Sequence, residues 1–205
     1  MSMANLCCFT MKIVGKKENV EEFIKMMKRE GEFKENGLGR VYDFDITEPD
    51  QLSDGTLLVL GSGSCAWSVW CAMMQEYRSP RPSLESESKR LDLVMEVFSE
   101  EPGCAFQEHY FINKGVLETD ETEEYHEFWK DGYDEEDWND VLKENELTED
   151  DMNEDGFIAV GGFENYCEFD AMDEYLKNMG VEIVEPQENS KNVTEKPKRY
   201  LVTFK

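Results

Sequence analysis

Leu6-Cys7-Cys8-Phe9-Thr10-Met11-Lys12-Ile13-Val14-Gly15 leads, three residues later, into Asn19-Val20-Glu21-Glu22-Phe23-Ile24-Lys25-Met26-Met27, and this pair of segments decides the fold class. In the first, Cys7, Phe9, Met11 and Ile13 share a face by period two, which predicts a strand ending at Gly15. In the second, Val20, Phe23, Ile24 and Met27 recur at i, i+3, i+4 and i+7. That spacing predicts an amphipathic helix over about residues 19–30, with Gly31 as its stop.

Working outward, Arg40 to Ile46 alternates Val41, Tyr42, Phe44 and Ile46 with acids and reads as a strand. Thr56 to Leu60 reads as a buried strand. Gly61-Ser62-Gly63-Ser64 then leads towards a helix over 66–77, with Ser64 near its N-cap. After Ser79-Pro80-Arg81-Pro82-Ser83, the spacing of Leu91, Val94, Met95 and Phe98 predicts a second helix over 84–99. Cys104 to Ile112 is a strand, Asn113-Lys114-Gly115 a tight turn and Val116-Leu117 the start of a return strand. Phe157 to Phe169 is strand-like and broken by glycine. Met172, Tyr175, Leu176 and Met179 mark a helix capped by Gly180, Val181 to Val184 a short strand, 187–198 a polar loop, and Tyr200, Val202 and Phe204 a last strand.

Strands and helices mixed without strict alternation favour an α+β fold, an antiparallel sheet with helices on one face. A split β-α-β, ferredoxin-like core is the natural plan. The expected division is a core over 1–117, an acidic, aromatic-rich insertion over 118–155, and a C-terminal strand-helix-strand unit over 156–205 that completes the sheet.

The charge is the outlier. Forty-seven acids face 21 Lys and Arg, a formal net charge of −26, while 40% apolar residues (12 Phe, 8 Tyr and 4 Trp among them) mark a chain that folds. Such a surface repels nucleic acid and anionic lipid and attracts basic partners. No stretch approaches the apolar length of a membrane span, and the N-terminal residues lack the pattern of a signal peptide. A cytoplasmic location follows as the expectation, with cysteines 7, 8, 65, 71, 104 and 167 as reduced, mostly buried thiols.

Ala4-Asn5-Leu6-Cys7-Cys8-Phe9-Thr10-Met11-Lys12-Ile13-Val14-Gly15, Asn19-Val20-Glu21-Glu22-Phe23 and Phe98-Ser99-Glu100-Glu101-Pro102-Gly103-Cys104-Ala105-Phe106 resemble the YubB-type ferredoxin-like proteins. Ala66-Trp67-Ser68-Val69 sits where that family carries a Trp-containing segment. The resemblance covers about residues 4–117 and implies a ferredoxin-like core and a home on plasmids or phages. It brings no catalytic residues, and the acidic segment after Glu118 departs from it.

Three constellations carry chemistry at the level of spacing. Gly63-Ser64-Cys65-Ala66-Trp67 resembles the nucleophile segment of papain-like proteases, with His109 as the base that could pair with Cys65. The family spacing fails, and Cys65 is more simply a core residue. Asp151-Met152-Asn153-Glu154-Asp155-Gly156-Phe157-Ile158 fits the first eight positions of a calcium-binding EF-hand loop. Position 12 is Gly162 where a bidentate Glu belongs, so a turn is the better reading, and no cofactor or metal is expected. His109 and His126 lie beside Glu108 and Glu127 without a zinc-ligand pattern.

The third is the acidic block. Residues 118–155 hold 19 Asp or Glu against Lys130 and Lys143, a local charge of −17, interleaved with Tyr125, Phe128, Trp129, Tyr133, Trp138, Val141 and Leu142. A short helix over 137–145 docked through Trp138, Val141 and Leu142 would hold the acids on an ordered surface. Asp134, Glu135, Glu136, Asp137, Asp140, Glu149, Asp150 and Asp151, with Trp129 and Tyr133 as aromatic anchors, are the expected partner-binding residues. The expected function is non-enzymatic binding of a basic partner protein. The leading form is a nucleic-acid mimic that inhibits a host restriction or CRISPR nuclease. A phage or plasmid accessory or scaffold protein is one alternative, and a cysteine-dependent enzyme using Cys65 and His109 the other.

Overall fold

The computed structural model describes residues 5–35, 37–74 and 82–184. The opening pair forms as expected: β1 spans Leu6–Gly15 and α1 spans Lys17–Met27. β2 (Val41–Ile46), the two-residue β3 (Asp50–Gln51) and β4 (Leu57–Ala66) follow. Next come a single π-helical turn over Trp70–Met74, α2 (Leu84–Leu91), β5 (Val94–Glu101), β6 (Phe106–Asn113) and β7 (Val116–Trp129). α3 (Glu135–Glu144), β8 (Phe157–Gly161) and α4 (Asp170–Met179) complete the described elements.

The strands make one antiparallel sheet in the order β2-β4-β1-β5-β6-β7-β8, with β3 alongside β4. The α+β class and the antiparallel sheet agree with expectation. β6 and β7 are joined through Lys114 and Gly115, whose φ values of 50° and 86° are those of the primed turns that suit a right-twisted hairpin. Ile183 makes an isolated bridge to Leu52, where the short strand over 181–184 was expected. The last strand, at Tyr200 to Phe204, lies outside the described residues.

Helices cover both faces of the sheet, not one. On the first face Val20, Phe23 and Met26 of α1 and Leu84 and Leu91 of α2 pack on Cys7, Phe9, Met11, Ile13, Val97 and Tyr110. On the second, Met172 and Leu176 of α4 pack on Val14, Val94, Phe98 and Phe111. The cause is β5, where Met95 and Val97 point one way and Val94 and Phe98 the other. A central strand buried on both sides reads as a continuous apolar run and needs a layer above and below.

The same run corrects the helix expected over 84–99. α2 stops at Leu91, with Asp92 in the left-handed region (φ 51°), and the chain re-enters the sheet at Val94. Over so few residues, Leu91, Val94, Met95 and Phe98 satisfy a helical period and a two-sided strand equally well. β4 is the second correction. It runs on through Gly61-Ser62-Gly63-Ser64 to Ala66, and Ser64 is a strand residue whose hydroxyl donates to Asp43 Oδ2 at 2.8 Å. Finally, β7 runs across the border drawn at 117/118, so the acid-rich stretch enters as a strand of the common sheet.

Candidate partner-binding surface

The acidic block is built on a small core of its own. β7 carries Thr119 and Thr122 among the acids of its first part and Tyr125, Phe128 and Trp129 at its end, residue types suited to a pleated half-buried strand. It pairs with β6 over its first half and with β8 from Tyr125↔Gly161 to Trp129↔Phe157. α3 then lays Trp138 and Leu142 against Ile158 of β8, with Phe128, Val141, Leu147 and Met152 around them. Trp138 is only 2% exposed. The helix expected over 137–145 is therefore present, two residues earlier at its start, and docked through the expected side chains.

The ten expected site residues all belong to this unit, but three acids have local structural partners. Asp134 is the N-cap of α3, its Oδ1 accepting the N–H groups of Glu136 (3.0 Å) and Asp137 (2.9 Å). Glu149 pairs with Lys130 at 2.7 Å, and that ammonium holds its carboxyl below the usual range. Asp151 accepts the backbone N–H and the hydroxyl of Thr148 at 2.7 and 2.8 Å, and these two bonds lower its pKa likewise. Glu135, Glu136, Asp137, Asp140 and Asp150 are exposed and in no ion pair among the described residues. The first three also complement the positive end of the α3 dipole, a structural reason for acids at that spot.

The aromatics flank the acids. Trp129 is half exposed, packs on Phe157 at 4.7 Å between ring centroids and donates its indole N–H to Glu127 at 3.1 Å. Tyr133 leans on Trp138 with centroids 6.0 Å apart. Sequence reasoning missed the acids of β7 itself. Glu118, Asp120, Glu121, Glu123 and Glu124 stand exposed along a single strand, and with Glu127 they give six carboxylates over about 30 Å of extended chain. Because successive residues point to opposite faces, each face carries only about one charge per 10 Å, sparser than the roughly 3.4 Å spacing along a single strand of duplex DNA. The missed signal was that β-branched Thr119 and Thr122 and aromatic Tyr125, residues suited to a strand, interrupt the acids.

The EF-hand-like segment is a turn. Asn153 Oδ1 accepts the N–H groups of Asp155 (3.0 Å) and Phe157 (3.1 Å), and Asp151 faces back to Thr148. Two of the three would-be ligands, Asp151 and Asn153, are thus engaged by local donors. Cys65 and His109 do not meet. Cys65 pairs with Cys7 across β1 and β4 and is buried beneath α1 and α2, where a hydrogen bond with Cys7 and burial push its thiol far up. His109 lies on the opposite face, stacked on Phe98 at 4.1 Å, with Nε2 2.8 Å from Glu96 Oε1. Of the six free thiols, Cys7 and Cys65 are buried, while Cys71 and Cys104 are exposed, fewer buried than expected.

The burial of two carboxylates, Glu96 and Glu108, was not legible in the sequence. Glu96 Oε2 accepts the Met172 N–H at 2.6 Å, so the strand carboxylate ties down the start of α4 while Oε1 meets His109. Glu108 accepts the N–H of Val69 (2.8 Å) and the Ser99 hydroxyl (2.6 Å) through Oε2. Its Oε1 takes the N–H of Trp70 (3.3 Å) and the Tyr110 hydroxyl (3.0 Å). With four donors around it, this buried charge is satisfied and fixes the loop that presents Trp67 and Trp70.

No helix among the described residues is long and apolar enough to cross a membrane. No family model matches the chain, and neither a curated protein nor a solved structure matches it significantly.

Proposed function

We propose that this chain is a non-enzymatic acidic binding protein of a mobile genetic element. In this reading its residues 118–155 occupy the basic nucleic-acid channel of a host defence nuclease of the restriction or CRISPR type, acting in the cytoplasm. The observation that carries the reading is the exposure of Glu135, Glu136, Asp137, Asp140 and Asp150 on a unit with its own packed core. Charges held in place lose little freedom on binding, whereas the same charges on a disordered tail would have to be ordered at a cost. Aromatic anchors at Trp129 and Tyr133 give the surface contact area beyond charge alone.

The attribution to plasmids or phages rests on the YubB-type resemblance of residues 4–117. In support, the path β1-α1-β2-β4-α2-β5 with strand order β2-β4-β1-β5 has the connectivity of a ferredoxin-like core, to which β6, β7 and β8 are added at the β5 edge.

The test is inhibition of DNA cleavage across a panel of restriction and RNA-guided nucleases. Inhibition of one of them should weaken with salt and be relieved by excess catalytically inert duplex DNA. The combined variant Glu135→Gln, Glu136→Gln, Asp137→Asn, Asp140→Asn and Asp150→Asn should bind that nuclease about tenfold to a hundredfold more weakly. Binding of a basic protein that DNA does not compete away would favour an accessory or scaffold role instead.

A further inference from the structure

An open cleft of about 390 Å³ lies on the α1/α2 face of the sheet at the β6–β7 end, walled by Trp70, Phe106, Glu108, Tyr110, Asp120 and Thr122. Its floor follows from register. Phe106, Glu108 and Tyr110 alternate on β6, and Tyr110↔Asp120 and Glu108↔Thr122 are cross-strand partners, so all five point the same way. The Trp70 ring lies 6.3 Å from that of Tyr110, at 26° to it. The loop bearing Trp70 is held by the two backbone N–H groups given to Glu108. It also carries Trp67 at a positive φ of 77° and 55% exposed. A bulky side chain in that backbone region persists only where its surroundings impose it, and such positions cluster at binding sites.

We infer that this cleft binds a guanidinium side chain, an arginine of a basic protein or peptide. Its walls are aromatic faces, its charges are carboxylates, and no base is among its described lining residues. Glu108 is saturated by its four donors, which leaves Asp120, exposed at the rim, as the carboxylate that meets the cation. A planar guanidinium stacks on Trp70 or Phe106 while its N–H fork reaches Asp120, a combination the compact ammonium of lysine does not match. The net charge of −26 draws such cations to the surface. Asp120 and Thr122 belong to the acidic stretch, but the cleft is read from its own lining and is tested with no nuclease present.

The test uses the whole chain with labelled tryptophan indoles and a blocked Gly-Arg-Gly peptide, against the same peptide carrying neutral citrulline. The Trp70 indole resonance should shift saturably with the arginine peptide and stay put with citrulline. By calorimetry, Asp120→Asn, a change at an exposed residue, should weaken binding about threefold, and Trp70→Ala about tenfold. An equal response to citrulline, no saturable shift at Trp70, or affinity untouched by Asp120→Asn would overturn the assignment.

Discussion

At the residue scale the acidic unit hangs on Trp138. Its ring is enclosed by Leu142, Ile158 and Tyr133, and among the described residues its Nε1 makes no hydrogen bond of normal geometry, although the indole helps to hold the Glu149 carboxyl low. Trp138→Ala should therefore cost about 3–5 kcal/mol of unfolding free energy, and Trp138→Phe, which keeps an aromatic ring in place and gives up only the indole N–H, less than about 1.5 kcal/mol. Urea denaturation checks this, and equal losses for the two would show that packing is not what holds the unit. Glu100 makes the second prediction. Burial and then the nearby Glu127 raise its carboxyl above the ordinary 4.5, against the pull of its Gln107 hydrogen bond. The folded chain then takes up this proton more readily than the unfolded one, so the stability lost at neutral pH returns as pH falls towards 4.5. Asp54, Glu149 and Asp151 act oppositely, each held low by Thr56, Lys130 and Thr148 respectively. Their contribution is present above the ordinary carboxylate values and disappears as pH drops through their lowered ones. Glu100→Gln should raise stability at neutral pH and flatten the rise seen on moving from about pH 7 to about pH 5. An unchanged slope in denaturant midpoints would refute that assignment.

At the scale of elements, β4 shows why glycines can extend a strand instead of ending it. A Cβ at Gly61 would overlap the Phe44 ring, and one at Gly63 would overlap the Asp43 carbonyl oxygen and lie 2.9 Å from the Phe9 ring. Both glycines let β2 approach β4 closely, which a turn-like composition disguises. Gly63→Ala should cost about 1–3 kcal/mol, read as a drop in denaturant midpoint, whereas a strand end or linker there would tolerate the change. The elements legible in the sequence were those whose apolar residues gather on one face, β1, α1 and α3, together with the Lys114–Gly115 turn, which its residue types mark. β5 was not legible, because burial on both sides erases the period-two signal and leaves Val94, Met95 and Phe98 at a spacing that also fits a helix. The second helical layer was hidden with it. It depends on Phe98, Phe111 and Met172 meeting across long sequence separations and on the carboxylate of Glu96 anchoring α4.

At the scale of the whole molecule, the sheet makes a two-sided core near β1 and β5 and carries its carboxylates outward through β7 to the α3–β8 unit. The density of acids was plain in the composition. Their division was not, because only coordinates show Asp134, Glu149 and Asp151 turned to caps and an ion pair while Glu135, Glu136, Asp137, Asp140 and Asp150 face outward. The account requires that these outward charges ride on a folded scaffold in the free protein. Amide hydrogen exchange of the unbound chain tests this directly. The account predicts that the β7–β8 ladder from Tyr125 to Trp129 and the interior of α3 are protected to within about a hundredfold of β1. Exchange at unfolded-chain rates through 125–144, with β1 still protected, would contradict it.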